Sequence, residues 1–286
     1  MRRRIRSVRN TQQITKAMKM ISAARLRKAQ ERAFNARPYS GLLREVLASL
    51  ASRSENIQHP LLTERPQERI TVLVLTGDRG LCGGFNTNIL RAAERFLAEH
   101  SDKQIDVIPI GRKGRDYLRR RVTLRQEYTG IYAKLAYSDA KTIAGQLISA
   151  YSEGKTDGVY VIYNEFKSVI SQKLTVTQLL PLKTLQPSAG AVSEQSTDSL
   201  VQTDYLYEQP PQELLATLLP RYVEVQIFGS LLESNAAEHA ARMTAMDSAS
   251  ANAGDMIDSL TLTMNRIRQA AITREIIEIV SGAAAI

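Results

Sequence analysis

The chain has one cysteine, Cys82, three histidines and no tryptophan. A lone cysteine excludes an internal disulfide and any CxxC redox or metal motif, and it suits a reducing compartment. His59, His100 and His239 lie far apart in sequence, which gives a histidine-rich metal site little support. No window approaches the roughly 18 consecutive apolar residues of a membrane span. The Arg-rich start lacks the apolar core and small-residue cleavage site of a secretory signal. Its basicity resembles that of an organellar transit peptide, but a helical periodicity runs straight through it without a cleavage point.

What is present is enough for a folded body. At 286 residues and 43% apolar content the chain can form one large or two ordinary domains with a real core. Thirty-eight basic against 29 acidic residues leave a net charge of +9, which favours an acidic partner: nucleic acid, anionic lipid or an acidic protein surface.

Residues 1–37 contain no proline and no glycine, and their first 30 residues carry ten Arg or Lys and no acid. Good helix formers dominate, and apolar residues recur at Ile14, Met18, Ile21 and Ala24, with Ile5 and Val8 less regular. This predicts one long amphipathic helix. Pro38 predicts a kink or break, with a helix resuming at Gly41 and ending near the SRSENIQHP loop.

The final block is clearer. After Pro220 a three-four alternation runs through Leu232, Ala236, His239, Met243, Met246, Ser250, Ala253, Ile257, Leu260, Met264, Ile267 and Ala271, ten of the twelve being apolar. Such a helix would reach roughly 100 Å at 1.5 Å per residue, so it must protrude from a domain of this size. Its natural partner is the other long helix, which predicts an antiparallel coiled coil of the two chain ends. A seam of Ala, Ser and Met packs closely but buries less area than a leucine zipper.

Between the helices the pattern alternates. Ile70 to Thr76 reads as a strand buried on both faces, followed by a helix from about Thr87 to His100. IDVIPIG at 105–111 precedes a basic helix, KGRDYLRRR. A third helix spans 138–154 with Asp139 near its cap, then GVYVIYNEF makes a strand and VISQKLTVTQLLPL a further, edge strand. Residues 186–204 read as a polar surface loop. The fold class expected is α/β: a long antiparallel coiled coil of N- and C-terminal helices plus a central, open, Rossmann-like α/β domain. The boundaries are 1–57 for the first helix, 58–209 for the central domain and 210–286 for the last helix.

The loop GDRGLCGGFN, after the first strand, invites a phosphate-binding reading, because a glycine-rich strand-to-helix turn presents N–H groups to an anion. No Lys-Ser/Thr pair follows the glycines and no GxGxxG is present, so a tight turn is the preferred reading. Cys82 has Arg79 close in sequence but no histidine base, which disfavours a nucleophile. The basic N-terminal helix could grip nucleic acid, yet Phe34 is its first aromatic, so no stacking platform accompanies the cations. A basic nucleic-acid-binding coiled-coil protein is the alternative reading of the chain.

Four stretches carry a resemblance: IRSVRNTQQITKAMKMISAARLRKAQ, DRGLCGGFN, DYLYEQPPQELLATLLPRYVEVQIF, and NAAEHAARMTAMDSASANAGDMIDSLTLTMNRIRQAAITREIIEIVSGAAA. In this order and spacing the chain resembles the gamma subunit of F-type ATP synthase over nearly its whole length. The resemblance implies a central-stalk rotor. Its coiled coil threads the hexamer of alpha and beta subunits, and its α/β domain sits below with the epsilon subunit and the membrane c ring. Proton flow would turn it, and ATP synthesis and hydrolysis would take place on the beta subunits. It implies no catalytic, cofactor or metal residue in this chain, no nucleic-acid partner, and a peripheral place on the cytoplasmic face of a bacterial plasma membrane. By position, Arg268 and Gln269 match contacts with the catch loops of beta, with Arg242, Thr273 and Glu275 in the same coupling region. Met18 matches a position facing the beta lever, Cys82 a segment near the base of beta, and Tyr205 and Tyr207 the foot near epsilon and the c ring. The chain starts several residues later than family members commonly do, which puts contacts from those residues in doubt. It lacks the paired-cysteine insertion of chloroplast members, and the phototroph-type insertion is absent. An ordinary bacterial member is therefore expected, with a processed mitochondrial one as the alternative.

Overall fold

The computed structural model describes residues 1–53, 59–182 and 210–284. The loop expected over 186–204, and Tyr205 and Tyr207, lie outside the described residues. Two helices dominate: α1, Arg2–Arg53, and α5, Pro211–Ala284. At 52 and 74 residues they reach about 78 and 110 Å. They run antiparallel, tied by Gln12 Nε2 donating to Ser250 O at 3.3 Å, Lys19 to Asp247 at 2.5 Å and Arg37 to Glu233 at 2.8 Å.

On α5 the expected seam faces inward. Leu232, Ala236, Met246, Ser250 and Ala253 are buried, and His239, Met243, Ile257, Leu260 and Met264 half-buried. Ile267 and Ala271 are exposed. The stripe expected on α1 is corrected in part: Ile5 is buried and Val8 and Met18 are half-buried. Ile14, Ile21 and Ala24 are exposed, and the buried line runs through Ile5, Thr15, Ser22, Leu26, Ala29 and Ala33. Leu26 and Ala29 meet Ala236, Ala237 and Ala240 of α5, where the small side chains let the backbones approach closely; Ile14 and Ile21 are left outside. The break expected at Pro38 is also absent, because α1 is one continuous helix. Proline removes one backbone donor, but Ala33, Leu43, Leu47 and Leu50 on either side are buried in one core with α5, which holds the turn helical.

The sheet has four strands in the order β2-β1-β3-β4. Strands β1 (Arg69–Leu75), β2 (Gln104–Ile110) and β3 (Gly158–Phe166) are parallel, and β4 (Gln172–Leu180) closes the edge antiparallel to β3. Helices α2 (Phe85–Glu99), α3 (Arg112–Leu118) and α4 (Tyr137–Ser152) supply the connections. The Asp139 carboxylate accepts the Ala136 N–H at 2.9 Å and caps α4, as its position in sequence predicts.

Strand β1 is apolar on both faces because each face meets a different layer. Leu73 and Leu75 join α4, the C-terminal half of α1 and the N-terminal part of α5, whereas Ile70, Val72 and Val74 join α2 and Ala236 to Ala240 of α5. The coiled coil thus belongs to both cores, and the loop after β1 is delivered against its side.

Candidate functional site

The loop following β1 is built against α5. Gly77 N–H donates to Asn86 Oδ1 at 2.8 Å, and Asp78 Oδ1 accepts from the N–H groups of Arg112 and Gly130 at 3.0 and 3.1 Å. Gly83 has a φ of +55°, which favours glycine, and Leu81 adopts the same region at +62° with its side chain 63% exposed. From α5 the buried Arg242 guanidinium donates to the carbonyls of Gly80 at 3.3 Å and Arg79 at 3.5 Å, and it forms a close ion pair with the buried Glu238 carboxylate. The loop therefore turns carbonyl oxygens toward its charged neighbour. A phosphate cradle needs N–H groups there instead, so the glycines serve a tight turn.

Burial pushes the Glu238 carboxyl up, and Arg242 partly offsets this. His239, one residue on, is held neutral: burial first, then Arg242 and Arg25, lower it from 6.5 to about 4. Its Nδ1 lies 3.3 Å from Arg242 Nη1, an arrangement in which the ring nitrogen accepts. Cys82 is 2% exposed, and burial pushes its thiol up against the pull of Arg242. Its sulfur accepts from Asn86 Nδ2 at 3.2 Å. A buried, protonated thiol with no base in contact is a poor nucleophile. Among the described residues no group of His, Cys, Asp and Glu side chains could hold a metal ion.

The other sequence-derived residues lie elsewhere. Met18 is half-buried in the coiled coil. Arg268, Gln269, Thr273 and Glu275 are all exposed, on a tip where every residue from Arg266 to Ser281 is exposed. Arg242 and Arg268 are 26 positions apart on one helix, about 39 Å, so the structure brings Arg242 to Cys82 and the loop and not to the tip residues. Sequence reasoning did not single out Glu238 or Gly77. The signal available was the spacing of Glu238 and Arg242, an acid and a base four apart inside an otherwise apolar stretch.

The whole chain, residues 1–286, matches the family model described as ATP synthase. It is 54% identical over 289 residues to the ATP synthase gamma chain of Solibacter usitatus, covering 99% of this chain and 97% of that one. The chain belongs to the ATP synthase gamma-chain family. The gamma chain of Geobacter sp. is 52% identical over 287 residues, with 100% and 97% covered. Among solved structures, the chain is similar to one from the central stalk and c-ring of Tetrahymena thermophila mitochondrial ATP synthase, with a TM-score of 0.61 and 26% identity over 83% of this chain and 99% of that one. It also shares the fold of a chain in the OSCP/F1/c-ring structure of Euglena gracilis mitochondrial ATP synthase, with a TM-score of 0.69 and 19% identity over 99% and 92%. A gamma chain is a central-stalk subunit of ATP synthase and not its catalytic subunit.

Proposed function

We propose that this chain is the rotating shaft that couples proton-driven turning of a membrane c ring to ATP synthesis and hydrolysis on beta subunits. The observation that carries the reading is the tip of α5. Ile267, Ile272, Ile276, Ile277, Ile279 and Val280 are each 48% exposed or more, and no other described element packs on that stretch. A lone helix with large apolar side chains around its circumference is marginal in water. Covering those side chains stabilises by roughly 1–2 kcal/mol each, so the tip is shaped to be sheathed by other chains. Three alpha and three beta subunits arranged as a hexamer form such a sleeve.

Arg268, Gln269, Thr273 and Glu275 then face the beta catch loops, Met18 the beta lever and the Cys82 loop the base of beta. The helix pair presents a different side to each beta subunit. A shaft can bias three equivalent sites only through such unequal contacts. Epsilon and the c ring would engage the opposite end, with Tyr205 and Tyr207 in that foot. No described helix is long and apolar enough to cross a membrane, and the relatives at about half identity are bacterial. Both support a peripheral subunit on the cytoplasmic face of a bacterial plasma membrane.

Reconstitution tests this. The purified chain alone should hydrolyse no ATP, and mixing it with alpha and beta should give a complex with ATPase activity that retains the chain. Failure to co-assemble would sink the proposal.

A further inference from the structure

A cavity of about 350 Å³ opens between α1, the loop after β1 and α5. Its lining includes Arg25, Lys28 and Arg32 from α1, Arg79 from the loop and Arg242 from α5, against the carboxylates of Asp78 and Glu238. We propose that this cavity binds a phosphoryl-type oxyanion, inorganic phosphate being the simplest.

Three observations converge. The spacing of Arg25, Lys28 and Arg32, three then four, places them on one face of α1, and Asn235, His239 and Arg242 share a face of α5 by the same rule. The cations are therefore gathered from three separate elements into one space. The two carboxylates are already engaged: Asp78 accepts two backbone N–H groups, and Glu238 is paired with Arg242. Arg25, Lys28 and Arg79 make no ion pair among the described residues. Arg32 spends one N–H on Leu135 O at 2.6 Å and has others left. All four are solvent-exposed side chains that line the cavity, and an anion among them would offset their mutual repulsion.

The third observation is a pair of buried polar side chains. Asn235 Oδ1 belongs to a residue that lines the cavity and is buried without a hydrogen-bond partner among the described residues, and the buried Oη of Tyr132, another lining residue, has the Ser234 hydroxyl as its neighbour. Asn235 is only 8% exposed. A buried polar group left unpaired costs about 1–3 kcal/mol. The Tyr132 hydroxyl can donate to an oxyanion, and a half-turn of the Asn235 amide presents its NH2. Burial pushes the Tyr132 phenol up, which keeps that donor protonated. His239, held neutral, adds an N–H donor to the lining and no charge.

Guanidinium pairs on oxygens favour a tetrahedral, multiply charged anion over a spherical one, because two parallel N–H donors match two oxygens at once. The space is at the small end of ligand cavities, and Tyr132 and His239 supply the two rings in its lining. That suits phosphate better than a stacked nucleobase.

The test uses the full-length chain in phosphate-free buffer, titrated calorimetrically with inorganic phosphate at constant ionic strength. Saturable binding at one site is expected, with chloride at matched ionic strength giving none. Arg25→Gln with Lys28→Gln should raise the phosphate dissociation constant at least about tenfold. Tyr132→Phe, which removes only the buried hydroxyl, should raise it roughly fivefold or more while the chain stays folded by circular dichroism. If ADP displaces phosphate with the same dependence on Arg25 and Lys28, the phosphoryl group belongs to a nucleotide; no displacement assigns free phosphate. Equal heats with chloride, or unchanged phosphate binding in both variants, would overturn the site.

Discussion

Gly77 abuts the Glu238 carboxylate so closely that a methyl group at position 77 would lie 2.7 Å from its carboxyl carbon. The loop and α5 are thus fitted to each other with no room for a side chain. Gly77→Ala must push Glu238 off Arg242 or lift the loop, and a loss of about 1–3 kcal/mol is expected. A double-mutant cycle in urea unfolding checks the cause. Gly77→Ala should cost much less in a Glu238→Ala background than alone. Additive costs would show that the clash lies elsewhere.

The neutral state of His239 gives the fold a pH slope. Its folded value of about 4 lies below the ordinary 6.5, so between these values the unfolded chain binds the proton and the native chain does not. Stability from this residue is present above about pH 6.5 and is lost as pH falls toward 4, by up to about 3 kcal/mol. Glu238, raised by burial, works in the opposite sense, so the clean measurement is a difference. Urea midpoints from pH 7.5 to 4.5 should fall more steeply in the native sequence than in His239→Gln. Parallel curves would show that His239 titrates normally.

Cys82 should be slow to react. Burial and a raised thiol leave little thiolate at neutral pH, so maleimide labelling of the folded chain should run at least about tenfold below that of an exposed thiol. Urea should restore the rate. In a reconstituted complex Cys82→Ser should leave ATP turnover nearly unchanged. Loss of turnover would return the loop to the list of chemical sites.

The tip residues should matter to the assembly and not to the chain. Arg268→Ala with Gln269→Ala alters only exposed side chains, so the isolated chain should keep its unfolding midpoint within about 0.5 kcal/mol. ATP synthesis per proton pumped, or the yield of complex, should drop in reconstituted membranes. Unchanged coupling with both side chains removed would move the contact to Thr273, Glu275 or the apolar residues of the tip.

Much of this architecture was legible because periodicity reports burial directly. Leu232 to Met264 repeats at three and four with one kind of neighbour throughout, so the α5 seam could be read without a partner in view. Ile14 and Ile21 misled for a physical reason. In a protein that folds alone, large β-branched residues go inside, but here Thr15 and Ser22 pack and the isoleucines wait outside. Pro38 misled because propensity is local while α1 is held by packing on both sides of it. The Glu238–Arg242 pair and the cavity beside it depend on three elements meeting in space. No window of sequence spans Arg25, Asp78, Tyr132 and Arg242.

Helix α5 runs from Pro211 to Ala284 without interruption, the same element that packs into both sheet cores below and stands bare at its far end. There is no joint between the clamped part and the free part. Apart from the donor missing at Pro220, in the part buried in the core, backbone hydrogen bonds repeat along the helix, so torque applied to the sheet domain meets no hinge on the way to the tip. It must appear at the tip as rotation, or be held as elastic twist spread over many turns. The molecule is in this respect a torsion spring with its grip and its business end cut from one piece.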